Sequence, residues 1–191
     1  TRLRQLCCDP GLLYEGYHSP AAKVELGMEL LKNALEGGHR VLVFSQFTSM
    51  LEILVQRMQQ ENISCCVLNG STSKEDRAKL VERFQKEEVP VFCISLKAGG
   101  TGLNLTAADM VIHFDPWWNA AVENQATDRA HRIGQKQVVT VYRLIAKNTI
   151  EEKILKLQEA KKELAQQVLS GDELKSASFT REELLGLLEY V

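Results

Sequence analysis

A chain of 191 residues, 45% hydrophobic and 25% charged, has the make-up of an ordinary soluble globular protein of one moderate domain with an appendage. Its net charge of −2 excludes a polycation that coats nucleic acid by charge alone, so any grip on phosphates must come from a local cluster of Lys and Arg. No signal peptide opens the chain and no apolar run approaches the roughly 18 residues of a membrane helix, so no membrane partner is expected.

Residues 1–18 precede the first periodic segment and begin with Thr1 in mid-pattern, as in a piece of a longer protein. Cysteines at 7, 8, 65, 66 and 93 form two adjacent pairs and an odd one, a poor disulfide framework without zinc spacing. They imply a reducing, intracellular compartment. His18, His39, His113 and His131 scatter without ligand spacing, and no metal is expected.

Helical spacing over 20–36 stops at Gly37-Gly38, and an apolar run follows at 41–44. A second helix over 49–61 stops at Asn62, before a run at 64–68. Ser71-Thr72-Ser73 with Asp76 is a capping box for a helix over 73–85. Further apolar runs at 91–95, 111–114 and 138–144 flank a helix over 120–131. The runs read as strands buried on both faces. Their alternation with helices predicts a doubly wound α/β fold on a parallel sheet with helices on both faces. Ligands in such folds bind beyond the carboxyl ends of the strands, which singles out loops 45–48, 69–73, 95–105 and 115–119.

From Thr149, an N-cap, the pattern becomes one long amphipathic helix carrying Ile150, Ile154, Leu157, Leu164 and Val168. Ser170-Gly171-Asp172 ends it, 176–178 is a linker, and Thr180 with Glu183 opens a short helix over 182–190. The organisation expected is a lead-in segment 1–18, a lobe 19–148, a helix 149–169, and a linker with terminal helix 170–191.

Three segments carry chemistry. Lys97-Ala98-Gly99-Gly100-Thr101-Gly102-Leu103-Asn104 follows a buried strand, and its glycines free backbone N–H groups either to meet phosphate oxygens or to make a tight strand-to-helix turn. Gln125 through Arg132 falls on the predicted helix, where Arg129 and Arg132 lie one turn apart on one face. Two fixed guanidinium groups suit a transferring phosphoryl group, and a solvated helix face is the plain alternative. His131 between them reads as a packed, hydrogen-bonded residue rather than a base. In Asp115-Pro116-Trp117-Trp118-Asn119, Trp117 reads as core and Trp118 as a side chain able to stack on or wedge into nucleic acid.

No Gly-x-x-x-x-Gly-Lys-Ser/Thr occurs, and the lone Asp172-Glu173 pair lies in a predicted loop, a poor Mg²⁺ site. The chain has arginines for a nucleotide that it has no phosphate loop to hold.

Taken in order, Val41-Leu42-Val43-Phe44-Ser45-Gln46-Phe47, Leu68-Asn69-Gly70-Ser71-Thr72 with Arg77, the glycine loop, the Trp-Trp loop and Asp128-Arg129-Ala130-His131-Arg132-Ile133-Gly134-Gln135 resemble the C-terminal RecA-like lobe of Swi/Snf ATPases of helicase superfamily two, of bacterial type. The likeness covers about 1–168 and includes Arg4-Gln5-Leu6-Cys7-Cys8-Asp9-Pro10. It implies a RecA-like sheet, a brace helix over 150–168 packing on a first lobe, and ATP with Mg held mainly by that N-terminal lobe. Arg129 and Arg132 match the arginine fingers, and Gly100, Gly102 and Gln125 match the flanking cleft positions. Ser45, Gln46, Arg77, Lys97, Thr101 and Asn104 fall in motifs that track one DNA strand, and Trp118 matches a tryptophan that touches duplex DNA. The activity implied is ATP-driven translocation on double-stranded DNA without strand separation. RNA polymerase or another DNA-bound protein is a further partner. The implied location is cytoplasmic and nucleoid-associated in a bacterium, nuclear in a eukaryote. Ala120 departs from the proline usual there, a matter of N1 geometry. A lobe that only binds, or an RNA-dependent strand-separating relative, are the other readings.

Overall fold

The computed structural model describes residues 1–17, 19–98, 103–131, 135 and 137–170, with side chains as far as residue 163. Five strands, β1 (Val41–Ser45), β2 (Cys65–Leu68), β3 (Val91–Ser95), β4 (Met110–His113) and β5 (Thr140–Arg143), form one sheet in the order β2-β3-β1-β4-β5. Every pairing is parallel, with Val41 opposite both Val91 and Met110. The helices are α1 (Arg2–Cys8), α2 (Ala22–Glu36), α3 (Thr48–Gln60), α4 (Lys74–Gln85), α5 (Ala120–Thr127) and α6 (Ile150–Ser170). This is the doubly wound sheet expected from the alternation of apolar runs and helices.

Strand alternation sorts the core into two layers. Val41, Val43, Val91, Cys93 and Ile112 face α2 and α3, meeting Met28, Leu31, Met50, Leu51 and Leu54. Leu42, Phe44, Phe92, Ile94 and Val111 face the other way, toward Phe84 of α4 and Ala126 of α5. Each such side chain, buried on folding, contributes roughly 1.5–3 kcal/mol by leaving water.

The stops act where the sequence places them. Gly38 takes φ +78° and lets His39 N–H return to the carbonyl of Ala34 at 2.9 Å. Asn62 takes φ +58°, and Ile63 N–H closes on the carbonyl of Met58 at 2.8 Å. The Ser73 hydroxyl accepts from Asp76 N–H at 3.1 Å, an N-cap for α4. Thr149 does the same for Glu151 at 3.1 Å.

Three expectations are corrected. The last strand is not buried: all four residues of β5 are exposed and Val138 before it is 89% exposed. It closes one edge of the sheet, whereas β2 at the opposite edge is half-covered. The helix predicted over 120–131 ends at Thr127, and Arg129 and Ala130 turn on to the carbonyls of Ala126 and Thr127 at 3.3 and 3.0 Å. Arg129 therefore sits in a tightened turn after α5. His131 is exposed rather than packed. The linker and short helix predicted beyond residue 170 lie outside the described residues.

Candidate functional site

Because all five strands run the same way, the loops after β1, β2, β3 and β4 gather along one edge. Two adjoining groups of side chains occupy it, joined by Leu96 N–H donating to the carbonyl of Ser45 at 2.9 Å.

The first group surrounds Asp115, which follows β4 and is fully buried. Its carboxylate accepts from the Ser45 hydroxyl and, at 3.3 Å to each oxygen, from Gln46 N–H. Burial pushes its pKa up to about 6, and the donors from Ser45 and Gln46 pull it part of the way back. The Ser45 hydroxyl also accepts from Phe47 N–H at 3.1 Å. Ser45 is thus buried, and its bonds to Asp115 and Phe47 N–H shape the loop after β1. Gln46 stays part-exposed, with Nε2 3.5 Å from the carbonyl of Pro116.

Trp117 packs against the second core layer, while Trp118 is 39% exposed, which is the division read from the sequence. Arg4 of α1 lies over both, its guanidinium carbon 5.5 Å from each ring centroid and 5.7 Å from that of Phe47. It is only 6% exposed, and burial lowers its pKa against the pull of Asp115.

The second group frames the glycine loop. Arg77 Nη1 of α4 donates to the carbonyl of Ala98 at 3.1 Å, fixing the start of the loop. At its exit, Leu105 N–H donates to the carbonyl of Arg129 at 3.0 Å. Gln85 Nε2 donates to the carbonyl of Asn104 at 3.1 Å, and its Oε1 accepts from Ala107 N–H at 2.9 Å. Gln135 Nε2 reaches the carbonyls of Thr106, Ala108 and Ala130 at 3.2, 2.7 and 3.2 Å. Lys97, Asn104 and Gln125 are exposed, whereas Arg129 is 2% exposed. Gly100, Thr101, Gly102 and Arg132 lie outside the described residues.

Sequence reasoning missed the polar residues that hold these loops. Glu123 of α5, fully buried, accepts from Trp117 N–H at 2.5 Å and pairs with Arg143 of β5 at 3.3 Å. Gln158 of α6 donates to the carbonyl of Trp117 and lies 3.3 Å from Glu123. Lys23 of α2 donates to both carboxylate oxygens of Glu151, at 2.6 and 2.5 Å, in a buried pair. Thus α6 is moored to this lobe at two points. A signal existed for Asp115, a carboxylate just after the buried run 110–114. None existed for Gln158, which sits among Lys and Glu on a charged helix.

These hydrogen bonds hold the loops at the carboxyl edge of the sheet of an α/β lobe. The model for the helicase conserved C-terminal domain matches residues 22–134. An uncharacterized ATP-dependent helicase of Mycoplasma pneumoniae is 45% identical over 189 residues, covering 98% of this chain and 18% of that protein. The putative ATP-dependent helicase/translocase YwqA of Bacillus subtilis is 44% identical over 179 residues, covering 90% of this chain and 19% of its own length. The Sulfolobus solfataricus SWI2/SNF2 ATPase core, solved in complex with dsDNA, superposes with a TM-score of 0.73 at 37% identity, covering 90% of this chain and 37% of that one. The chain belongs to the helicase C-terminal family, as a RecA-like lobe of Swi/Snf type. It spans less than a fifth of the length of the curated relatives it matches.

Proposed function

We propose that this chain is the C-terminal motor lobe of an ATP-dependent double-stranded DNA translocase. The carrying observation is the bond from Leu105 to Arg129, which fastens the glycine loop to the arginine turn, in a chain without a phosphate loop of its own. The residue types suit a polyphosphate: guanidinium groups at Arg129 and Arg132, a side-chain amide at Gln125, and glycines at 100 and 102. A companion N-terminal lobe holds most of the ATP and its Mg, and the nucleotide supplies the phosphoanhydride whose cleavage drives the cycle. The arginines stabilise charge on the transferring phosphoryl group.

Gln46, Arg77, Lys97, Thr101 and Asn104 serve the DNA backbone, and Ser45 acts on that backbone through the loop it holds. Contacts of this kind read phosphates and not bases, so the motor is indifferent to sequence. Trp118 meets the duplex. Proteins bound to that duplex, RNA polymerase among them, are the load. The relatives include an ATP-dependent helicase/translocase and an ATPase core in complex with dsDNA, which supports this reading.

The test is hydrolysis. The 191-residue chain alone is expected to hydrolyse ATP negligibly, and the full-length protein to do so with stimulation by duplex DNA. DNA binding without hydrolysis by the full-length protein refutes the motor and leaves a binding lobe. Unwinding of tailed duplexes moves it to the strand-separating helicases.

A further inference from the structure

Arg4 is an expensive residue to bury where it lies. A guanidinium carries five N–H donors, yet its Nε and Nη1 are buried without a hydrogen-bond acceptor among the described residues. What surrounds the cation instead is the faces of Phe47, Trp117 and Trp118 and the charge of Asp115. Cation–π attraction strengthens when the cation is desolvated, and a planar guanidinium also stacks. For packing alone, a methionine or leucine would fill this volume without that desolvation cost.

The three rings are not equivalent. Phe47 and Trp117 are already held by the core, and Trp118 alone is exposed. The cation therefore has its greatest effect on Trp118, an indole with one part pinned and another open to solvent. We propose that Arg4 is a positioning residue, whose guanidinium holds the Trp118 indole in one orientation for its contact with duplex DNA. The proposal rests on the reading of Trp118 as a DNA contact. Holding the ring beforehand removes the entropy cost of ordering it on binding. It also makes α1, ahead of the sheet, part of the DNA-contact device.

The experiment uses full-length protein labelled with 5-fluorotryptophan, with the Trp118 ¹⁹F resonance assigned by its loss in Trp118→Phe. Arg4→Met, which fills the volume without charge, should move that resonance toward free fluorotryptophan, and Arg4→Lys should move it less. Arg4→Met should also raise the duplex concentration at half-maximal binding by about fivefold, the scale of one cation–π contact to a part-exposed ring. In a Trp118→Ala background the same change should have no effect on binding. A Trp118 resonance unmoved by Arg4→Met overturns the proposal, as does an equal loss of affinity in both backgrounds. Trp118→Ala that leaves DNA affinity unchanged refutes the DNA-contact reading and with it the purpose assigned to Arg4. The resonance shift then still decides whether Arg4 orients the ring.

Discussion

The amide of Leu105 and the carbonyl of Arg129 are 3.0 Å apart, so the exit of the glycine loop and the arginine turn are bonded through main chain alone. Side-chain substitutions at either residue leave that bond in place. Loss of function at Arg129 can therefore be separated from loss of loop structure.

Arg129→Ala or Arg132→Ala in the full-length protein is expected to lower DNA-stimulated ATP turnover about 10³-fold, the scale of an arginine finger. Arg129→Lys keeps the charge without the planar fork and should recover only part. Exchange of the Leu105 amide should stay slow in all three. Turnover near wild type in both alanine variants would remove the fingers from the mechanism.

Gln135→Leu takes one donor from three carbonyls, those of Thr106, Ala108 and Ala130. Urea denaturation should report a loss of about 1–3 kcal/mol, the cost of leaving buried acceptors unmet. The Ala108 amide, bonded to the carbonyl of Leu105 at 3.1 Å, should exchange faster by hydrogen-exchange mass spectrometry. Unchanged exchange would mean that Gln85 suffices to hold the loop.

Lys23→Met alone or Glu151→Gln alone strands one charge in a buried pair and should cost about 3–5 kcal/mol. The double variant should regain most of that loss, because no charge remains buried. Glutamine keeps an acceptor for Ala146 N–H, which Glu151 takes at 2.7 Å. Denaturation midpoints of the four proteins form the cycle; strict additivity would show that the two residues do not interact.

His113 and Asp115 oppose each other in pH. Burial, with Arg143 adding to it, lowers His113 from 6.5 to about 4, so stability tied to its neutral form is lost as pH falls through that window. Asp115 rises from 3.8 to about 6, so stability tied to its protonated form is lost as pH rises through nearly the same window. His113→Asn should therefore lose less stability than wild type as pH falls from about 6 to 4, and Asp115→Asn should lose less as pH rises from about 4 to 6. Parallel profiles for all three proteins would refute both shifts.

Much of this architecture was legible because apolar runs and caps are local. Gly38, Asn62 and Ser73 ended and began helices at the positions their side chains favour, and the runs around 43 and 93 are buried on both faces. β5 was misread because Val138, Val139, Val141, Tyr142 and Leu144 look like a core strand, while burial depends on sheet position. Periodicity also assigns charged residues to the solvent side, and so it missed Lys23, Glu123 and Glu151, which find ion-pair partners on other elements. The turn that carries Arg129 was read as helix because Ala126 and Ala130 suit helix equally well. Trp117 and Trp118 were told apart by reasoning on one buried and one presented ring, and the cation between them was not foreseen.

Lys23 and Glu151 are 128 positions apart, and this separation has a consequence for how the protein is made. A ribosome delivers the chain at about 5–20 residues per second, so the lysine waits seconds for its carboxylate after the first strands have emerged. Until then Lys23 lacks the carboxylate that closes over it, and the first turn of α6, after the last strand, supplies that partner.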